Sequence, residues 1–249
     1  MKTIKKEFQN YVLLMRSIPA LVLTLFVVGI CVMNILANKS LNLPFSWMAL
    51  DAGITVSWLS FLTMDILVRR FGPKAATLVS ITASAVNIIV CVIYYVASLL
   101  PGVWGESFVP VGGEIINIAL DNTIGGTWFI IFGSTCAFIA GAIVNNFSNA
   151  AIGKVLTNDT FHHYAVRSYV STFLGQFIDN LTFALIVSLS FFGWTLTQCF
   201  VCAVTGAIVE LLFEIVFSPI GYRVCKNWSK HGVGNQYLDT VATAAVVTD

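Results

Sequence analysis

Apolar residues fall in six long runs separated by polar stretches: Ile18–Leu36, Met48–Val68, Ala75–Leu100, Thr127–Val144, Tyr169–Phe192 and Leu196–Phe217. A bilayer core about 30 Å thick takes about 20 mainly apolar residues per helix, so each run predicts one transmembrane helix. The first run follows Lys2, Lys5, Lys6 and Arg16, as the core of a secretory leader would. It is too long for that, and it ends in Asn34-Ile35-Leu36-Ala37-Asn38-Lys39 with no small-residue cleavage site, so an uncleaved helix is expected. The pattern predicts an all-α membrane protein with a segment over 1–17, a six-helix transmembrane domain over 18–222 and a tail over 223–249.

Basic residues orient the helices. Twelve of the 13 lie in the N-terminal segment, beside Arg69, Arg70 and Lys74, between Lys154 and Arg167, or in the flank with Arg223, Lys226 and Lys230. Only Lys39 falls on the other side. Positive residues stay in the cytoplasm, so both termini are expected there. The outer loop 101–126 carries Glu106, Glu114 and Asp121 but no basic residue, and its stretch Glu114–Leu120 reads either as a short interfacial or re-entrant helix or as ordinary loop. After Gly232 there is neither a charge run nor a helical stripe, and a short solvated extension is expected. Two halves of three helices would allow an inverted repeat, as in many carriers, although the halves share no convincing identity.

Composition narrows the function. Hydrophobic residues make up 57% and charged residues 10%, against about 25% charged in soluble domains; mean hydropathy is +0.87. A net charge of +1 leaves no bulk field to draw nucleic acid. Nearly all six cysteines sit in apolar segments, as buried thiols rather than a disulfide framework. Cys199-x-x-Cys202 lacks a second ligand pair, no span contains a histidine, and no phosphate-binding glycine loop is present. Neither catalysis nor a metal or other cofactor is expected.

Charge inside the spans carries the candidate chemistry. Five acids lie there (Asp51, Asp65, Asp179, Glu210 and Glu214), with no Lys, Arg or His. A charge at a helix centre costs roughly 2.5–3.5 kcal/mol, so these side chains should face a protein interior or a wet cavity. Asp51 and Asp65 fall near the ends of the second span, within reach of the interface, whereas Asp179 falls near the midplane. Ser168, Thr172, Gln176 and Asp179 recur at helical spacing as one polar stripe, with Asn180 beside it. Such a stripe can hydrogen-bond a flat heterocycle or solvate a cation; for Thr172 or Gln176 alone, a clamp between helices is the plainer account. Cys202, Gly206, Glu210 and Glu214 share a face of the sixth span. Two carboxylates one turn apart repel when both are ionised, so Glu210 and Glu214 are a candidate proton or cation site, or else line a wet inner vestibule. Gly133, Ala137 and Gly141 form a small-residue packing stripe.

Several segments resemble the queuosine-precursor transporter family, also called the vitamin uptake transporter family. They are Asn34–Lys39, Asp51-Ala52-Gly53, Ser60–Leu67, Phe71–Ala76, and Ser171–Asp179 with Phe183. The resemblance extends from about Val28 to Tyr222, with one departure: an acid is expected near Arg69, where this chain has Arg69-Arg70. It implies six helices in a bacterial inner membrane and import of a 7-deazaguanine precursor of a modified tRNA base, 7-cyano- or 7-aminomethyl-7-deazaguanine. A carboxylate can accept two hydrogen bonds from the adjacent N–H and NH₂ of such a ring, and a second acid can neutralise an aminomethyl group. The expected substrate residues are therefore Asp179, Gln176, Thr172, Asn34, Asn38, Asp65 and Phe183, with Trp58 and Phe61 as further stacking candidates. The expected partners are the small molecule and the lipid bilayer; a homo-oligomer is left open. The alternative is a substrate-binding subunit of an ATP-driven vitamin uptake system, although Ala20 is followed four residues later by Thr24 where a docking pattern would place alanine.

Overall fold

The computed structural model describes residues 2–39, 41, 51–109, 111–125, 128–157, 160–191 and 193–246. The expected span limits Met48, Thr127 and Phe192 lie outside these residues. Regular structure among the described residues is entirely helical: α1 (Lys2–Ser17), α2 (Ala20–Leu36), α3 (Ile54–Phe71), α4 (Pro73–Leu99), α5 (Gly113–Ile124), α6 (Trp128–Val155), α7 (Phe161–Phe183), α8 (Leu189–Phe191), α9 (Leu196–Lys230) and α10 (Asn235–Val246). A π-helical turn, Ala184–Ser188, joins α7 to α8.

Four of the described stretches are long and apolar enough to cross a membrane: Pro73–Leu99, Gly113–Val155, Phe161–Ser188 and Leu196–Lys230. The pair Lys5–Ser17 and Ala20–Leu36, bent by 100°, makes a fifth if it counts as one span. The 18-residue α3 is less apolar because it carries Asp65, Arg69 and Arg70. It is nonetheless the axis of the bundle, packing on α2, α4, α6, α7 and α9. Helix α7 packs on α6 and α9 as well.

Local chemistry explains the breaks. Gly72, at φ 87°, ends α3, and Pro73 opens α4, where a missing N–H costs nothing and its fixed φ suits the first turn. Thr195 and Gln198 form a capping box that starts α9. Pro219 inside α9 cannot donate to the carbonyl one turn back. The Ser218 hydroxyl donates to Ile215 O instead, at 3.2 Å, and Tyr169 Oη lies 2.8 Å from Ser218 Oγ. The core of Phe26, Ile30, Phe61, Met64, Leu67 and Phe138 is buried between α2, α3 and α6.

Residues 2–17 form a helix, on which the sequence pattern made no statement, and α9 runs on through 222 to Lys230. The tail is no solvated extension: α10 packs against α1, with Tyr237 only 8% exposed. Arg70 holds the turn before it, donating from Nε to Val233 O (2.7 Å) and from Nη2 to Asn235 Oδ1 (2.6 Å). The ring of Phe71 meets Trp228 and Tyr237 edge-on. The Arg69-Arg70 departure thus has a structural use. Of the two readings of Glu114–Leu120, the helical one holds, as part of α5.

Candidate functional site

Close approaches between helices place the polar side chains. A Cβ added at Gly141 of α6 would stand 2.8 Å from Asp179 Cβ and 2.8 Å from Gly175 O. One added at Gly206 of α9 would stand 2.7 Å from Asn180 Nδ2. Missing side chains at these two positions let α6 and α9 close on α7, as small residues do in membranes. The stripe on α7 follows the expected face: Ser168, Thr172 and Gln176 are fully buried.

The sequence candidates sort into three places. The first is a narrow cavity of about 40 Å³ lined by Met33, Ala37, Asp51, Gly53, Ile54, Ser57, Ser134, Ala137, Asp179, Asn180, Phe183, Cys202 and Glu210. Three acids meet there, and among the described residues no cation lines it. Asp51 Oδ1 accepts from Gly53 N at 2.7 Å. Glu210 accepts from the Ser57 hydroxyl and, at 3.2 Å, from Asn180 Nδ2. Asp179 Oδ1 is closed off from solvent without a donor, and neither amide atom of the neighbouring Gln176 has a partner. Orphaned buried polar atoms cost about 1–3 kcal/mol each, so such a cluster is poised to accept a polar guest. The space holds a water or two, not a bicyclic ring.

The second place is a buried network around Asp65, one turn beyond Gln176. Asp65 is 1% exposed and faces the protein interior. Its Oδ1 accepts from Asn145 Nδ2 (3.1 Å), Asn149 Nδ2 (3.0 Å) and Ser171 Oγ (3.3 Å), and its Oδ2 from Thr172 Oγ1 (3.4 Å) and Ser168 Oγ. Ser168 Oγ also meets Glu214 Oε1, while Glu214 Oε2 is buried without a partner. One hydroxyl has one proton to give; two carboxylates on the same oxygen therefore need a further proton between them. Arg167 Nη2 donates to Asn149 Oδ1 at 2.9 Å, joining a cation to the network at one remove. Glu214 is thus linked to Asp65 and Glu210 to Asn180, so the expected Glu210–Glu214 pair is divided between two sites.

The third place holds Asn34 and Asn38, which line a separate chamber and not the Asp179 cavity. Asn34 Nδ2 donates to Ile30 O at 3.0 Å, and its Oδ1 accepts from Ser134. Trp58 and Phe61 do not face the cavity. Trp58 stacks on Phe217 with ring centroids 3.9 Å apart, and Phe61 is fully buried in the core. Asn145 and Asn149, the donors that hold Asp65, were missed by sequence reasoning because they follow the apolar run that ends at Val144. Their i, i+4 spacing on an uninterrupted helix was the available signal.

A family model described as "Putative vitamin uptake transporter" matches residues 51–224, which include both acid clusters. No curated protein and no solved structure matches the chain.

Proposed function

We propose that this chain, which belongs to the vitamin uptake transporter family, imports a purine-like nutrient, a 7-deazaguanine precursor with a 7-cyano or 7-aminomethyl group. The observation that carries the reading is the cavity where Asp51, Asp179 and Glu210 converge with no cation among the described lining residues, while the buried Gln176 amide, three residues before Asp179 on α7, is unpartnered. A carboxylate there suits the paired N–H donors of a guanine-like ring, and a neighbouring acid suits an aminomethyl cation. Phe183 supplies an apolar face on the cavity wall.

The small volume of the cavity supports an alternating mechanism. A ring enters only if helices separate on one side, and α7 with its π-helical turn is the element best placed to move. In this reading α2, α3, α4, α6, α7 and α9 are the six spans, with both termini cytoplasmic and the membrane a bacterial inner membrane. The basic residues support that orientation. Energy comes from a proton rather than from ATP, and the Asp65–Ser168–Glu214 contact is the place to hold it.

Uptake of radiolabelled 7-cyano-7-deazaguanine by the purified protein in liposomes tests the reading. The native protein should transport it unaided. Asp179→Asn should weaken binding roughly ten- to hundredfold, the loss of one charge-assisted bond, while the protein still inserts. Full uptake by that variant would overturn the site, and uptake only in the presence of an added ATP-driven module would overturn the energy source.

A further inference from the structure

A chamber of about 160 Å³ lies across α2 from the Asp179 cavity. Neighbouring positions on a helix differ by about 100°, so Met33 and Ala37 face the inner cavity while Asn34 and Asn38 face the chamber. Helix α2 is the wall between them, pinned to α6 by the Ser134 hydroxyl on Asn34.

The chamber has the marks of a built site. Asn87 of α4 is 2% exposed, yet its Nδ2 has no acceptor. Asn38 Oδ1 is closed off from solvent and has no donor. One orphan donor and one orphan acceptor in the same chamber match a molecular edge that offers the reverse pair. Tyr94 and Trp104 supply aromatic surface. Trp104 is fixed in place by its backbone N–H on Asn117 Oδ1 (2.9 Å) and its indole N–H on Asp121 Oδ1 (2.8 Å). No charged side chain among the described residues lines the chamber, in contrast to the three acids across the wall.

We propose that this chamber is an outer binding site for a planar, uncharged heterocycle, which gives a ring acceptor to Asn87 and an N–H to Asn38 before it passes to the Asp179 cavity. The order of the two sites rests on the transport reading; the binding itself does not. Charge would be read only at the inner site, so the outer one admits rings that differ in their substituent.

Binding of radiolabelled 7-cyano-7-deazaguanine to the full-length protein in nanodiscs, followed together with tryptophan fluorescence, tests this. The native protein should bind two equivalents, with a fluorescence change that Trp104→Phe removes. Asn87→Leu should leave one equivalent and no Trp104 signal. Asn38→Ala, at a half-buried position, should weaken the outer equivalent roughly tenfold and serves if Asn87→Leu does not fold. Asp179→Asn should keep the Trp104 signal. A single equivalent in the native protein, lost in Asp179→Asn and untouched by the asparagine variants, would overturn the outer site and leave the inner one standing. Two equivalents surviving in Asp179→Asn would leave the outer site and sink the inner assignment. No binding of this probe to the native protein would overturn the ligand class of both.

Discussion

Replacing Asp65 tests whether the buried network is held as the hydrogen bonds indicate. Five donors converge on that carboxylate, but they do not depend on it equally. Asn149 Nδ2 also reaches Ser171 Oγ at 3.2 Å, Ser171 Oγ also reaches Ser168 O at 3.0 Å, and Ser168 Oγ also meets Glu214. Asn145 Nδ2 and Thr172 Oγ1 have no acceptor besides Asp65 among the described residues. Asp65→Ala therefore strands two donors, each at about 1–3 kcal/mol. Polar contacts are worth less in a membrane, which puts the total near 2–4 kcal/mol. At about 2–4 °C per kcal/mol for a chain of this size, melting should fall by roughly 5–15 °C. Asp65→Asn should behave differently. Its carbonyl can serve the three donors on the Oδ1 side, and its NH₂ meets Ser168 and Thr172, whose hydroxyls rotate to accept. Melting should stay within about 4 °C of the native protein, about 1 kcal/mol. Thermal unfolding of both variants in lipid nanodiscs is the assay. Equal destabilisation by Asn and Ala would refute the donor count, and so would an alanine variant as stable as the native protein.

Four further outcomes follow from the geometry. Thiols introduced within 102–109 should be labelled from outside intact cells and thiols at Lys154 should not, and the reverse pattern would invert the orientation. An inward proton gradient should speed uptake, with Glu214→Gln flattening the response and Glu210→Gln chiefly weakening affinity; identical rates with and without the gradient would exclude proton coupling. Gly206→Ala should push the Asn180 amide off Glu210 and cost about 1–3 kcal/mol of stability, as overpacking does, and Asn180→Ala in the same protein should restore most of it. Arg70→Ala removes both bonds to the turn before α10, so hydrogen exchange over 235–246 should quicken, and unchanged exchange would show that the Phe71, Trp228 and Tyr237 rings hold the tail alone.

Much of this architecture is legible in hydropathy, because apolar side chains facing lipid leave long unbroken runs. The α7 stripe was also legible, since Ser168, Thr172, Gln176 and Asp179 keep helical spacing in an otherwise apolar segment. Asn145 and Asn149 were hidden for the opposite reason. The run stops at Val144, but α6 continues to Val155 with its polar residues turned inward on α3 and α7. Spacing along α9 suggested that Glu210 and Glu214 belong together. Their partners come from α3 and α7, and nothing along α9 itself could reveal that each acid joins a different neighbour. Helix α10 was missed because its small alanines and valines draw no stripe until Tyr237 finds α1 and Phe71.

The π-helical turn at Ala184–Ser188 has a consequence for how α7 can be altered. Such a turn holds one residue more than an α-helical turn, and Cys199 of α9 reaches across to its Ala184 carbonyl at 3.4 Å. Deleting a single residue there would let the helix rewind as a continuous α-helix. Because the turn absorbs its extra residue locally, Leu189–Phe191 would keep their phase, and Asp179 and Asn180 would keep their places against Gly141 and Gly206. The spare residue is thus an insertion taken up inside one turn, and a one-residue deletion at Ala184–Ser188 should be borne more easily than one anywhere within α7.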